Sequence, residues 1–274
     1  MNNLETCIVV VFFNPQHDQI YKFNALSNYY PVIAVDNSST ALSNVNFMYY
    51  PLYENKGIAY AQNVGIKEAL NHNYKYIVFF DQDSNTSENF VASMIDEYIS
   101  IKREDDKLGI LGPIVYDNKS DKEYKSYAHE GCTHSIVPFV ISSGMIIDTF
   151  IIKSIGLMDE RLFIDYVDCE WCWRAGSYGY HTYMTRNVKL YHSVGDSYFS
   201  FWGIKFGISK AFRYFYQYRN VIFLLRRNYV PFGWKIRSII RCMLDMLVVP
   251  IISKEGFLCF KNMIRGIYSG VRYE

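Results

Sequence analysis

The sequence predicts an α/β protein built on a doubly wound, mainly parallel sheet, followed by a C-terminal helical extension. Short apolar runs such as Tyr76-Ile-Val-Phe-Phe80 are too brief for helices and read as strands buried on both faces. They alternate with amphipathic helical stretches, the pattern of crossovers between parallel strands. Charge then sets the extension apart. Residues 1–200 carry 15 Lys/Arg against 24 Asp/Glu, and residues 201–274 carry 13 against 3, in a chain that is +1 overall.

Residues 6–13 form the first predicted strand, closed by Asn14-Pro15. A helix is predicted over 18–28 and a second strand over 31–35, which runs into Asp36-Asn-Ser-Ser39. A short strand at 47–50 precedes a helix at 57–70. There Ile58, Ala61, Gly65 and Ala69 share a small-residue face that can lie close on a sheet. The strand reaching Asp81 is followed by a helix over 87–102 with Ser87 as its N-cap. Between 108 and 148 short strands and Gly/Pro turns replace the regular alternation. Helices at 149–154 and 168–178 and a strand at 181–184 follow, and beyond Phe201 the pattern is helical, with breaks expected near Pro231 and Pro250.

Several function classes are excluded by what is missing. No G-x-G-x-x-G follows the first strand and no G-x-x-x-x-G-K-[ST] or G-x-S-x-G occurs. That argues against a Rossmann dehydrogenase, a P-loop NTPase and an α/β-hydrolase. Cys169-Glu-Trp-Cys172 has redox spacing but no second pair and no neighbouring His, so core packing is expected. Met1-Asn-Asn-Leu-Glu-Thr6 has no signal-peptide character, which predicts a cytoplasmic setting with the six Cys as thiols.

Chemistry concentrates where predicted strands end. The strand at 76–80 stops at Asp81-Gln-Asp-Ser84, and in open α/β sheets ligands bind at that carboxyl edge. Two Asp one residue apart suit a hard divalent cation, which in turn can hold a diphosphate; a plain polar turn is the alternative. In the extension the longest apolar run, 243–252 around Asp245, falls short of the ~18 residues a membrane span needs. Its cationic, aromatic surroundings suggest a helix lying on an anionic membrane surface, or one packing on the core or another subunit.

Taken in order, these features resemble glycosyltransferase family 2 over about residues 6–195. The resemblance rests on Val35-Asp-Asn-Ser-Ser39, Asn55-Lys-Gly-Ile-Ala59 with Asn63-Val-Gly65, Phe80-Asp-Gln-Asp-Ser84 and Ser142-Ser-Gly-Met145. It continues through Asp159-Glu-Arg-Leu-Phe163, Tyr166-Val-Asp-Cys-Glu-Trp-Cys-Trp-Arg174 and His192. The D-Q-D-S form looks most like the bacterial rhamnosyltransferase branch. The resemblance implies a GT-A fold with a nucleotide-sugar half over 1–105, an acceptor half over 106–200 and a membrane or oligomerisation segment over 201–274.

The same resemblance implies roles. Asp36 and Asn37 would meet the donor pyrimidine, and Lys56, Gly57, Asn63, Asp81 and Gln82 would border the rest of the donor. Asp83 and His192, with Asp81, would ligate Mg2+ or Mn2+. Asp168 would be the general base of a single, inverting displacement. The family often has Glu directly before this Asp, where the chain has Val167, which leaves Asp165 or Glu170 as substitute carboxylates. Ser143, Gly144 and Trp171 would face the acceptor, although Trp171 and Trp173 also suit the core.

The implied reaction is transfer of L-rhamnose from dTDP-L-rhamnose to a polyprenyl-diphosphate-linked surface glycan at the inner face of a bacterial plasma membrane. A UDP-hexose or UDP-galactofuranose donor, or a non-catalytic glycan- or nucleotide-sugar-binding module, is the alternative. No nucleic acid is expected as a partner, and the C-terminal helices could support a homo-oligomer.

Overall fold

Strand β1 (Thr6–Phe12) is apolar along its length because it has a parallel neighbour on either side, β2 (Val32–Asp36) and β4 (Tyr76–Asp81). Its alternate side chains enter two separate cores. Cys7 and Val9 pack with α2 (Ile58–Asn71), whereas Ile8, Val10 and Phe12 pack with α1 (His17–Leu26) and α3 (Glu88–Glu104). A sheet covered on both faces is what the uniformly apolar strands require. This computed structural model describes residues 5–117, 123–124, 131–192, 197–201 and 204–272; for 192, 197–201 and 204–206 it describes the backbone alone.

The sheet has eight strands in the order β3-β2-β1-β4-β7-β5-β8-β6. β3 (Met48–Pro51) extends the parallel part beyond β2. β7 (Ile146–Asp148) lies antiparallel between β4 and β5 (Leu108–Asp117), and β8 (His181–His192) runs parallel to β5. β6 (His134–Ile136) closes the far edge. α4 (Thr149–Ile155) packs against β7 and α5 (Val167–Ser177) against β8. Ser87 caps α3 as expected, its side chain accepting from Phe90 N at 3.2 Å. Cys169 and Cys172 are buried thiols in the core.

Three expectations change. β8 runs eight residues past its predicted end, because a bulge interrupts its pattern. Pairing jumps from Pro113–Thr185 to Ile114–Lys189, at the one residue of β5 that has no N–H for the ladder. Beyond β8, β9 (Ser197–Phe201) pairs antiparallel with β10 (Ile204–Ile208), and β10 lies where helix was expected. Helices α6 (Ala211–Leu225), α7 (Phe232–Ile252) and α8 (Gly256–Arg272) follow. Pro231 does precede α7, but Pro250 lies inside its last turn, where a missing N–H costs one bond, and the break falls at Ser253.

The small-residue face of α2 meets β1 at Gly65, where an added Cβ would stand 2.4 Å from Val9 Cγ1. Gly65→Ala is therefore expected to destabilise the fold by about 1–3 kcal/mol through overpacking. Urea denaturation should show Val9→Ala recovering part of that loss in the double variant. Additive losses would place the strain elsewhere.

Candidate active site

Parallel register brings the acidic strand ends together. Phe12 is paired with Asp36 and Val11 with Asp81, so both carboxylates leave the sheet at the same edge, on either side of β1. This is the switch point, where chain connections diverge and leave a crevice.

Asp36 is almost wholly buried and anchored. Ser38 donates to Oδ1 from its N–H at 2.8 Å and its hydroxyl at 2.5 Å, and Tyr49 OH donates to Oδ2 at 2.8 Å. Each carboxylate oxygen has two acceptor positions, so Oδ2 keeps one beyond Tyr49.

The Asp81–Ser84 turn is tied down at several points. Gln82 mimics a strand: its Oε1 accepts from Phe13 N at 2.7 Å and its Nε2 donates to Phe13 O at 3.3 Å. Lys22 reaches under the turn, its ammonium donating to Gln82 O at 3.1 Å and to Ser84 O. Desolvation lowers the Lys22 pKa, and the nearby Asp83 and Asp18 carboxylates draw it back up. Asp83 itself is exposed and Asp81 half-buried. Among the described residues no three His, Cys, Asp or Glu gather closely enough to hold a metal ion. The side chain of His192, the expected third ligand, lies outside the described residues. Its backbone ends β8, one residue beyond Tyr191, which forms an isolated bridge with Asn85 just past the turn. Two hard carboxylate ligands at a strand end fit a divalent cation in kind.

A second chain of bonds runs from this turn to Asp168. Ser84 and Ser143 are fully buried, and their hydroxyls pair at 2.5 Å. Gly144 N donates to Phe79 O at 2.7 Å, which lays the Ser142–Met145 segment beside the end of β4. Ser142 N then donates to Asp168 Oδ2 at 3.2 Å, and Cys169 N to Oδ1 at 2.8 Å. Asp168 opens α5, half-buried, and desolvation pushes its carboxyl pKa above the usual range against those two N–H donors. A carboxylate that is desolvated yet not sealed off suits proton abstraction.

Other expected site residues prove to be structural. Glu170 is buried and fully engaged: Arg174 grips both oxygens at 2.9 and 3.0 Å, and Tyr229 OH donates to Oε1 at 2.5 Å, so it is no substitute base. Asp165 is likewise held in an ion pair by Arg213. Asn63 is buried, its amide clipped to Met158 N, Met158 O and Glu160, which removes it from the donor border. Gln82 faces Phe13 rather than a donor, and Asn37 joins Gly57 O and Lys56 N, closing the loop between β2 and α2. Gly57, at φ +88°, is required by Phe163, whose backbone oxygen would lie 2.6 Å from a Cβ there. Ser143 is spent on Ser84, and Gly144 (φ +76°) is enclosed by Phe90 and Pro113. Trp171 is fully buried and its indole donates to Gly156 O at 3.0 Å, so it cannot reach an acceptor. Lys56 remains at the rim, paired with the exposed Glu54 at 3.0 Å.

The fold has parallels. The crystal structure of GalNAc-T7 with UDP, GalNAc and Mn2+ is similar with TM-score 0.56 at 13% identity, covering 80% of this chain and 51% of that one. S. aureus TarS is similar with TM-score 0.55 at 14% identity, covering 96% of this chain and 49% of that one. The chain thus spans about half the length of these two, and at such identities the likeness establishes the GT-A fold alone. No family model matches the chain. In sequence it is 31% identical to the dTDP-rhamnosyl transferase RfbF of Shigella flexneri, across 97% of both proteins. The chain belongs to glycosyltransferase family 2, in its rhamnosyltransferase-like branch.

In this transferase the C-terminal region also braces the turn before Asp168, which the sequence did not suggest. The turn before Asp168 passes through the left-handed region at Phe163 (φ 63°), Asp165 (66°) and Tyr166 (66°), a cost for residues with side chains. α6 holds it there. The buried Asn220 donates from Nδ2 to Leu162 O and Ile164 O at 2.8 Å and to Asp165 O at 3.1 Å. Phe163 stacks on Tyr216 with centroids 4.5 Å apart, and Arg227 reaches Asp159 at 3.0 Å. Asn220 sits in a helical pattern that gives no hint of this, whereas Ser38 and Ser84 lie inside motifs that did.

Asn220→Ala leaves three carbonyls without that donor, at a cost of roughly 1–3 kcal/mol in chemical denaturation. If the turn sets the base, kcat falls by about 10²-fold through misplacement of Asp168 while nucleoside-diphosphate affinity, measured by calorimetry, is unchanged. Equal losses in both would show α6 supporting the fold in general rather than the base.

Proposed function

We propose that this glycosyltransferase moves L-rhamnose from dTDP-L-rhamnose to a hydroxyl of a polyprenyl-diphosphate-linked bacterial surface glycan, with inversion and with help from Mg2+ or Mn2+. The observation that carries the donor is the 31% identity to a dTDP-rhamnosyl transferase along essentially the whole of both chains. The donor pyrimidine lies at Asp36, whose Oδ2 accepts from the ring imide beside Tyr49. Thymine and uracil share that imide edge, so Asp36 fixes the ring without choosing the nucleotide. Lys56 exchanges its exposed partner Glu54 for the donor.

Asp83, with Asp81, takes the metal, and the nearness of the end of β8 to Asn85 supports His192 as a further ligand. When bound, the ion offsets the negative charge that grows on the departing diphosphate. Gln82 and Lys22 keep the turn from shifting while that happens. Asp168 accepts the proton of the acceptor hydroxyl as its oxygen attacks the anomeric carbon from the face opposite the diphosphate. Ser142 N holds Oδ2, so the carboxylate is aimed before the acceptor arrives.

Asp168→Asn and Asp83→Ala are each expected to lower rhamnosyl transfer by about 10²–10⁴-fold. They should separate in binding: Asp83→Ala loses metal-dependent dTDP affinity and Asp168→Asn keeps it. Desolvation raises the Asp168 pKa, and the base acts ionised. Accordingly kcat/KM should fall as pH drops through a value above the ordinary ~4 of Asp and level off at higher pH. Full activity of both variants would overturn the mechanism, and turnover of UDP-sugars but not dTDP-rhamnose would overturn the donor.

A further inference from the structure

Helices α7 and α8 present an apolar surface that nothing among the described residues covers. On α7, Phe232, Ile236, Ile240, Met243, Leu247 and Ile251 recur every three or four residues and are all exposed, Ile251 by 84%. On α8 the same holds for Phe257, Phe260, Ile264, Tyr268 and Val271, with Phe257 82% exposed. Such spacing puts each set on one helix face. Both faces look away from α6. The opposite side of α7 supplies Cys242, whose carbonyl accepts from Tyr218 OH of α6 at 2.7 Å, and the opposite side of α8 supplies Asn262, which donates to Ala211 O at 3.0 Å. Val249, Cys259 and Met263 fill the seam between the helices.

Charge says what covers this surface. At 100° per residue, Lys261, Arg265 and Arg272 fall along one border of the α8 stripe, and Arg237 along the matching border of the α7 stripe. Lys254 sits in the turn between the helices. The acidic residues of the two helices and their turn are Asp245, which pairs with Arg241, and Glu255. A second copy would bring the same positive border against itself, whereas an anionic bilayer matches both the apolar stripe and the charge. Among the described residues no helix is long and apolar enough to cross a membrane, which fits helices that lie along one.

We infer that the α7–α8 pair is a docking platform for an anionic membrane surface, its two apolar stripes entering the acyl boundary and its basic border meeting lipid phosphates. This rests on the surface itself and deepens the lipid-linked acceptor reading, since α7 also reaches the turn before Asp168, the rings of Trp234 and Tyr166 meeting edge to face with centroids 5.4 Å apart.

The test is cosedimentation of the full chain with vesicles of equal parts phosphatidylglycerol and phosphatidylcholine, against phosphatidylcholine alone. Binding to the anionic vesicles that weakens with salt is expected. Leu247→Glu with Ile264→Glu should abolish it, and Lys261→Ala with Arg265→Ala should weaken it about 25-fold, at about fivefold per charge. Donor hydrolysis without acceptor should be unchanged in all of these. In a separate variant, Leu247→Trp fluorescence should shift to the blue on adding anionic vesicles. Absence of binding to either vesicle overturns the platform, as does a dimer in light scattering that the same Glu substitutions dissolve. Donor hydrolysis that fails while vesicle binding persists would count against the proposed reaction and not against the platform.

Discussion

A buried hydrogen bond between the hydroxyls of Ser84 and Ser143 at 2.5 Å, with Gly144 N donating to Phe79 O beside it, ties the end of β4 to the segment that holds Asp168. On one side of it stands the Asp81–Ser84 turn; on the other, a single residue away, Ser142 N holds Asp168. Both serines are fully buried, so neither can turn to water if the other is lost, and an orphaned buried hydroxyl is costly. The spacing between that turn and Asp168 is thereby set by a short segment pinned at Ser143 and Gly144. The proposed inverting transfer needs this, since the attacking oxygen and the leaving phosphate must stay in line.

A second constraint acts from outside the sheet. The turn that delivers Asp168 adopts left-handed backbone at three residues, a conformation it would leave if free. Asn220, Arg213 and Tyr216 of α6 hold it, and α6 is itself held by α7 and α8. The basic extension therefore has two faces with different duties. Its inner face braces the turn before Asp168, and its outer face carries the exposed apolar stripes.

Much of this was legible in the sequence because parallel strands announce themselves. Uniformly apolar runs ending in Asp36 and Asp81 fixed both the topology and the edge where the site lies, and Ser87 and the Ile58–Ala69 face fell where propensity put them. Reading failed where tertiary partners decide. Asn63, Gln82, Ser143 and Glu170 look like ligand-facing polar residues in the linear pattern. Their side chains are instead engaged by Met158, Phe13, Ser84 and Tyr229, contacts made across long sequence separations. The far half of β8 was hidden by a bulge at Pro113, and the role of Asn220 by its distance from the turn it holds.

The stereochemistry of transfer tests the central claim most directly. On the proposed mechanism Asp168 is the single carboxylate base, Glu170 being locked against Arg174, and transfer is one displacement with no covalent sugar intermediate. Proton and carbon NMR of the product formed from dTDP-L-rhamnose should show the anomeric configuration inverted relative to the donor. Retention would require a nucleophile on the opposite face, and would contradict the account of this site.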